Sequence, residues 1–137
     1  MKKMRFLIVD DDVPNRKFLH TMLEDIGHCD IAANGKEAVE YFTISFNEKD
    51  FYDVIFLDIN MPVMDGHETL KNIRRIEEDN EIFLGAGVKV VMVTALRDKQ
   101  NVLSAFHEGC EYYLVKPFQQ KKLFELLEEM GCRTKSD

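Results

Sequence analysis

Asp53-Val54-Ile55-Phe56-Leu57-Asp58-Ile59-Asn60-Met61-Pro62-Val63-Met64-Asp65-Gly66 passes from an unbroken apolar run into an acid and then into turn-forming residues. A run as short as Val54–Leu57, rich in β-branched and aromatic side chains, reads as a strand buried on both faces. Asn60, Pro62 and Asp65-Gly66 mark the loop that follows. Asp58 therefore stands where a buried strand emerges. In parallel α/β sheets that carboxyl end is where ligands bind. An acid at such a break also serves as a simple cap, so the rest of the chain must decide between the two.

Phe6-Leu7-Ile8-Val9 is a second short apolar run, and it too ends in acids, Asp10-Asp11-Asp12. Asp12 and Pro14 are suited to the N-cap and first turn of a helix. Phe18, Leu19, Met22, Leu23 and Ile26 follow at helical spacing, with Gly27 as the stop. His28–Ala32 reads as a short strand at or near an edge, and Asn34-Gly35 as a turn. Lys36 to Phe46 is predicted helical, with Ala38, Val39, Phe42 and Phe46 facing inward. The next helix runs from His67 to Glu78, with Leu70, Ile73 and Ile76 inside, and Glu77–Glu81 is read as a solvated helix end. Val88–Val93 is a strand ending in Thr94-Ala95. Asp98–Glu108 is a helix stopped by Gly109. Glu111–Val115 is a strand ending in Lys116-Pro117-Phe118, and Gln119–Met130 is the last helix.

This is β-α repeated five times, which demands parallel strands joined by right-handed helical crossovers, with helices on both faces of the sheet. The 137 residues suit one domain. Its core is expected over about residues 5–130, with a frayed tail at 131–137. A domain of this size buries roughly 68% of its unfolded surface and needs no disulfide or metal staple. The net charge of -7 argues against nucleic-acid binding, which calls for a basic face. Cys29, Cys110 and Cys132 form no C-x-x-C pair and are expected as free thiols in a reducing cytoplasm. No stretch approaches the roughly 18 apolar residues of a membrane span. The four histidines have no metal-ligand spacing, and Tyr112-Tyr113 is expected to place one ring inside and one outside.

The strand ends gather the chemistry. Strand 1 supplies Asp10 and Asp11, strand 3 Asp58, strand 4 Thr94 and strand 5 Lys116. Adjoining carboxylates raise one another's pKa and call for cations. A hard divalent ion such as Mg²⁺ suits them, and Lys116 adds a second positive charge. An aspartate can act as a nucleophile and form an acyl phosphate, and a threonine hydroxyl can donate to a phosphoryl oxygen. The set suggests phosphoryl transfer onto Asp58.

Five motifs then carry a resemblance: Val9-Asp10-Asp11-Asp12 with Pro14-Asn15-Arg16; Asn34-Gly35; Leu57–Pro62 with Met64-Asp65-Gly66; Val93-Thr94-Ala95; and Lys116-Pro117-Phe118. Together they resemble the receiver domain of response regulators, in the CheY-like superfamily, from about Arg5 to Met130. The resemblance implies a flavodoxin-like (βα)5 three-layer sandwich with sheet order 2-1-3-4-5. It implies Asp58 as phospho-acceptor, and Asp10, Asp11, Asp58 and the Asn60 backbone carbonyl around Mg²⁺, with Mn²⁺ as a substitute. It implies Thr94 as the switch hydroxyl, Lys116 as the phosphate-binding ammonium, Tyr113 as the aromatic that turns inward, and a cis bond between Lys116 and Pro117. The implied donor is a histidine kinase or histidine phosphotransfer protein, and the implied output an unnamed protein target of the helix 4–strand 5–helix 5 surface. Such a domain catalyses its own phosphorylation and dephosphorylation and is no metabolic enzyme. An intermediate relay receiver and a phosphate-independent binding module are the alternatives within the fold.

Two segments, Thr43–Asp50 and Glu77–Gly87, look longer than in a minimal receiver and are read as possible partner surfaces. A flavodoxin would place a Ser/Thr/Gly-rich phosphate loop after strand 1, where this chain has three acids. A haloacid-dehalogenase-type phosphatase would place its nucleophile and general acid in one Asp-x-Asp loop, a spacing Asp10 and Asp12 satisfy, but the Asp58 and Lys116 motifs favour the receiver.

Overall fold

The computed structural model describes residues 4–83, 85–95 and 101–132. The strands are β1 (Met4–Val9), β2 (Gly27–Ala32), β3 (Val54–Asp58), β4 (Lys89–Ala95) and β5 (Tyr112–Lys116). The helices are α1 (Val13–Leu23), α2 (Gly35–Asn47), α3 (Gly66–Asp79), α4 (Asn101–Glu108) and α5 (Gln120–Glu129). Every pairing is parallel, and the sheet order is β2-β1-β3-β4-β5. This is the flavodoxin-like order expected for the chain. Asp98, where the fourth helix was expected to start, lies outside the described residues.

Alternation along the central strands divides the core in two. Phe6, Ile8, Val54 and Phe56 face Leu19, Leu23, Leu123 and Leu127 of α1 and α5. Leu7, Val9, Ile55 and Leu57 face Phe42, Leu70, Ile73 and Ala105 of α2, α3 and α4. All five residues of β3 are buried, so its continuous apolar run is what a strand covered on both faces requires.

The helices that approach the carboxyl edge are capped by the residues that end the preceding loops. Asp12 accepts from Asn15 N (3.1 Å), Asn34 from Glu37 N (2.9 Å) and Asp65 from Glu68 N (2.9 Å). Each cap satisfies one of the amides left without a partner in a first helical turn.

Several side chains sit differently from their sequence expectation. Phe18 is 46% exposed and packs edge-on against Phe118, with ring centroids 5.7 Å apart. Val39, Ile26, Phe46 and Ile76 are half-buried, and Ser45 takes an inward position on α2. Gly27 begins β2; α1 ends earlier, at Leu23, with Glu24 as its C-cap. Tyr112 and Tyr113 point to opposite faces but are both half-buried, because β5 is an edge strand with one neighbour only. Cys132 is buried against the α1–α5 side of the core. The three cysteines are free. Burial pushes the Cys29 thiol up to about 11 and the Cys110 thiol up to about 12, so neither is a thiolate at neutral pH.

The largest departure is Glu77. In place of a solvated helix end it lies 4% exposed. Glu77 Oε2 accepts from Val88 N (2.7 Å) and Oε1 pairs with Arg74 Nη1 (2.7 Å). Arg74 also donates to the Val88 carbonyl (2.9 Å), to Glu111 Oε1 (2.9 Å) and twice to the Gly109 carbonyl (2.6 and 3.0 Å). Glu111 Oε1 in turn accepts from Val90 N (3.0 Å). One guanidinium thus ties α3 to the start of β4 and to the α4–β5 turn. A Cβ at Gly87 would lie 2.0 Å from Glu77 Oε2, so a larger residue there would have to displace the carboxylate from Val88 N. Phe46, Ile82 and Ala86, from the two longer segments, and Phe51 line a cavity of about 420 Å³ at the N-terminal edge of the sheet.

A buried ion pair that loses one member leaves an uncompensated charge, at a cost of about 3–5 kcal/mol. Arg74→Met is expected to lower unfolding stability by that order in urea titrations. Adding Glu77→Gln should recover part of the loss, because the stranded carboxylate is then gone. An Arg74→Met variant as stable as the parent would show that the network contributes nothing.

Candidate functional site

Sheet register brings the expected residues to one edge. Val9 lies beside Leu57, Asp58 beside Val93, Thr94 beside Val115 and Ala95 beside Lys116. The strands that carry Asp10, Asp58, Thr94 and Lys116 are therefore consecutive neighbours ending at the same level. Asp10 is 2%, Asp58 7% and Thr94 1% exposed, while Asp11 is exposed. Carboxylate oxygens of Asp10, Asp11 and Asp58 all lie within 4.8 Å of one another.

Lys116 Nζ stands 3.2 Å from Asp10 Oδ2 and 3.4 Å from Asp58 Oδ1. The other Asp10 oxygen accepts from Asp12 N (2.9 Å), and the Asp10 carbonyl accepts from Arg16 Nη1 (2.9 Å). Thr94 Oγ1 donates to the Ala95 carbonyl (3.1 Å). The Lys116–Pro117 peptide is cis. Tyr113 packs edge-on against Phe106 of α4, with ring centroids 6.0 Å apart.

The loop after β3 is shaped by close packing. A Cβ at Gly66 would lie 2.5 Å from the Asp58 carbonyl oxygen, so α3 can start against the strand end only with glycine there. Gly66 N donates to the Ile59 carbonyl (2.8 Å), and Met64 N to the Pro62 carbonyl (2.8 Å). The second bond closes a γ-turn with Val63 at φ +71°, a left-handed conformation rare for a β-branched side chain. Met61 is 8% exposed and belongs to the core.

Three carboxylates against one ammonium leave two formal negative charges, which matches a hard divalent cation. Asp58 registers both its burial and the neighbouring charge. Burial, then the Asp10 charge, push its carboxyl up from the ordinary 3.8 to about 6, in spite of Lys116. Lys116 is held above its ordinary value by Asp58 and Asp10 against the opposing effect of its own burial. The arrangement can take a divalent cation, bind an anion that bridges cation and ammonium, and present a carboxylate oxygen as nucleophile.

Comparison with known proteins agrees with this geometry. The model of the response regulator receiver domain matches residues 6–128, and the chain belongs to that family, within the CheY-like group of two-component signalling domains. It is 31% identical over 134 residues to hybrid signal transduction histidine kinase I of Dictyostelium discoideum, covering 97% of this chain and 8% of that protein. The chain thus spans about a tenth of the length of such hybrid kinases, 8% and 11% in two of them. Among solved structures, the complex of Saccharomyces cerevisiae Ypd1 with the receiver domain of Ssk1 matches with a TM-score of 0.78 at 32% identity, covering 94% of this chain and 89% of that one. CheY in the CheX-CheY-BeF3-Mg+2 complex of Borrelia burgdorferi matches with a TM-score of 0.78 at 30% identity, covering 95% and 90%.

The Asp58 shift has a consequence for stability. The unfolded carboxyl releases its proton near 3.8 and the folded one near 6, so the stability this group contributes is present at low pH and lost as pH rises through 6. Above that the buried charge opposes folding. In metal-free buffer at pH 7.5, Asp58→Asn is expected to raise unfolding stability by about 1–2 kcal/mol, and the gain should shrink toward pH 4.5. Urea titrations of both proteins across this range decide it; a constant difference would remove the titration from the account.

Proposed function

We propose that this receiver takes a phosphoryl group onto Asp58 in a Mg²⁺-dependent reaction. The observation that carries the reading is the pair of bonds from Lys116 to Asp10 and Asp58, which puts an ammonium beside a carboxylate cluster with two negative charges in excess. The donor is the phosphohistidine of a partner kinase or phosphotransfer protein, or a small phosphodonor. An Asp58 oxygen attacks phosphorus in line. The O–P bond forms as the P–N bond breaks, the electron pair stays on the imidazole nitrogen, and an acyl phosphate results.

Asp10, Asp11, Asp58 and the Asn60 carbonyl would hold the Mg²⁺, or Mn²⁺ in its place, whose chemistry when bound is to neutralise phosphoryl oxygens. Lys116 would shift from Asp58 to the arriving phosphoryl group. Thr94 would turn its hydroxyl from the Ala95 carbonyl to a phosphoryl oxygen. That turn vacates space beside β4 into which Tyr113, now packed on Phe106, would move. The α4–β5–α5 face then differs between the two states, and a downstream protein would read the difference. Hydrolysis by water restores Asp58.

The partner must seat its imidazole at the mouth of the site. A cleft of about 350 Å³ opens beside Asp10 and Lys116, lined by Pro14, Asn15, Phe18, Leu19 and Phe118. Phe18, 46% exposed, stands at its rim against Phe118, and this apolar lip is the proposed docking surface. The hybrid-kinase relatives favour a second reading, in which the phosphoryl group passes on from Asp58 to the histidine of a phosphotransfer protein. It uses the same residues in reverse.

Incubation with acetyl phosphate and Mg²⁺ is expected to add one phosphoryl group by intact mass, with no adduct on Asp58→Asn or in EDTA. Absence of an adduct and of Mg²⁺ binding in the parent would leave only a phosphate-independent binding module. Phe18→Asp should slow transfer from a phosphohistidine protein about tenfold or more and leave acetyl phosphate labelling unchanged, since an apolar contact of this kind contributes about 1.5–3 kcal/mol. Equal slowing with both donors would move Phe18 from docking to the fold of the site.

A further inference from the structure

We infer that Arg16 is a positioning residue for divalent-cation binding, acting through the backbone of Asp10; the inference rests on the phosphoryl-transfer reading above. The carboxylate of Asp10 is fixed twice, by Asp12 N (2.9 Å) and Lys116 Nζ (3.2 Å). Asp11 is different. It is the exposed member of the acidic cluster, and no described side-chain hydrogen bond reaches its carboxylate. Its placement therefore depends on the backbone that carries it. The peptide between residues 10 and 11 is a rigid plane, so whatever fixes the Asp10 carbonyl fixes the direction in which residue 11 begins.

Arg16 does this from outside the acidic cluster. It sits one turn into α1, half-buried, and Nη1 donates to the Asp10 carbonyl at 2.9 Å. A guanidinium is a rigid fork, always charged, and gives a shorter and stronger bond to a carbonyl than a neutral donor would. The base of the same helix is fixed to the same loop, with Asp12 capping Asn15 N and Arg16 N donating to the Asp12 carbonyl (3.1 Å). On the other side Asp10 N donates to the Ala32 carbonyl (3.2 Å). The turn that presents two of the three acids is thus held between β2 and α1, and Arg16 is its one side-chain anchor to the Asp10 carbonyl among the described residues. Groups that orient cation ligands in this indirect way change metal affinity by about 10–100-fold when removed.

The experiment is a Mg²⁺ titration of the parent, Arg16→Gln and Arg16→Lys by calorimetry, with metal-free thermal unfolding alongside and acetyl phosphate labelling at several Mg²⁺ concentrations. For Arg16→Gln the expected result is Mg²⁺ affinity weaker by about tenfold, with labelling that returns to the parent rate at saturating Mg²⁺. Arg16→Lys should recover part of the affinity, and the metal-free unfolding midpoints should stay close together. Parent-like Mg²⁺ affinity in Arg16→Gln overturns the inference while leaving the phosphoryl-transfer reading intact. A labelling defect that persists at saturating Mg²⁺, or a loss of affinity that merely follows a lowered unfolding midpoint, also overturns it. Failure of the parent itself to bind Mg²⁺ removes both.

Discussion

Among the described residues, Lys116 is the only ammonium within bonding distance of two carboxylates that the fold has taken out of water, those of Asp10 and Asp58. Burying like charges together is costly unless cations and hydrogen bonds offset it, and here the offset is partial. The ammonium comes from the last strand, β5, the acids from β1 and β3, and none of the three can reach the others unless the sheet closes in the order observed. The site is therefore a consequence of topology. Parallel strands joined by helical crossovers end at one edge, where β1 delivers Asp10 and Asp11 and β3, β4 and β5 each deliver one group.

The incomplete offset also defines what the cluster is suited to receive. An arrangement with balanced charge would be a structural salt bridge, satisfied and inert. This one retains excess negative charge near a carboxyl pushed up to about 6, a perturbation that marks functional sites more often than structural ones. The membership of the chain in the receiver family and the geometry of its acids both bear on the proposed chemistry. One rests on similarity of sequence, the other on the positions of oxygens and a nitrogen.

Most of this was legible from short patterns. Continuous apolar runs such as Val54–Leu57 identify buried parallel strands, and the residue at which each run stops names the site. Local rules worked where they describe local physics, as for the caps at Asp12, Asn34 and Asp65. They failed where a long-range partner decides. Glu77 sits in a run of charges that ordinarily means solvent, and only Arg74, Val88 and the distant Glu111 turn it into an interior group. Phe18 fits the helical stripe of α1 yet lies at the surface, because Phe118 from the other end of the chain meets it there. Arg16 belongs to the motif that follows strand 1, but the motif does not say what its side chain bonds. Its bond to the Asp10 carbonyl follows from how α1 docks, which no periodicity encodes.

The Arg74 network gives the sheet two ends of unequal character. At the N-terminal edge, the amides of Val88 and Val90 are donors to carboxylates that one guanidinium immobilises. Opening there means separating buried charges, so these amides are expected to be among the slowest of the domain to exchange with solvent. The carboxyl edge lies about 20 Å away along β4, at about 3.3 Å per residue. There Thr94 is tied to its own neighbour by one hydroxyl bond that can be traded for another at little cost. Cooperativity is thus graded along each strand, and the same β4 that anchors the global free energy of folding at its start carries a low-energy rearrangement at its finish.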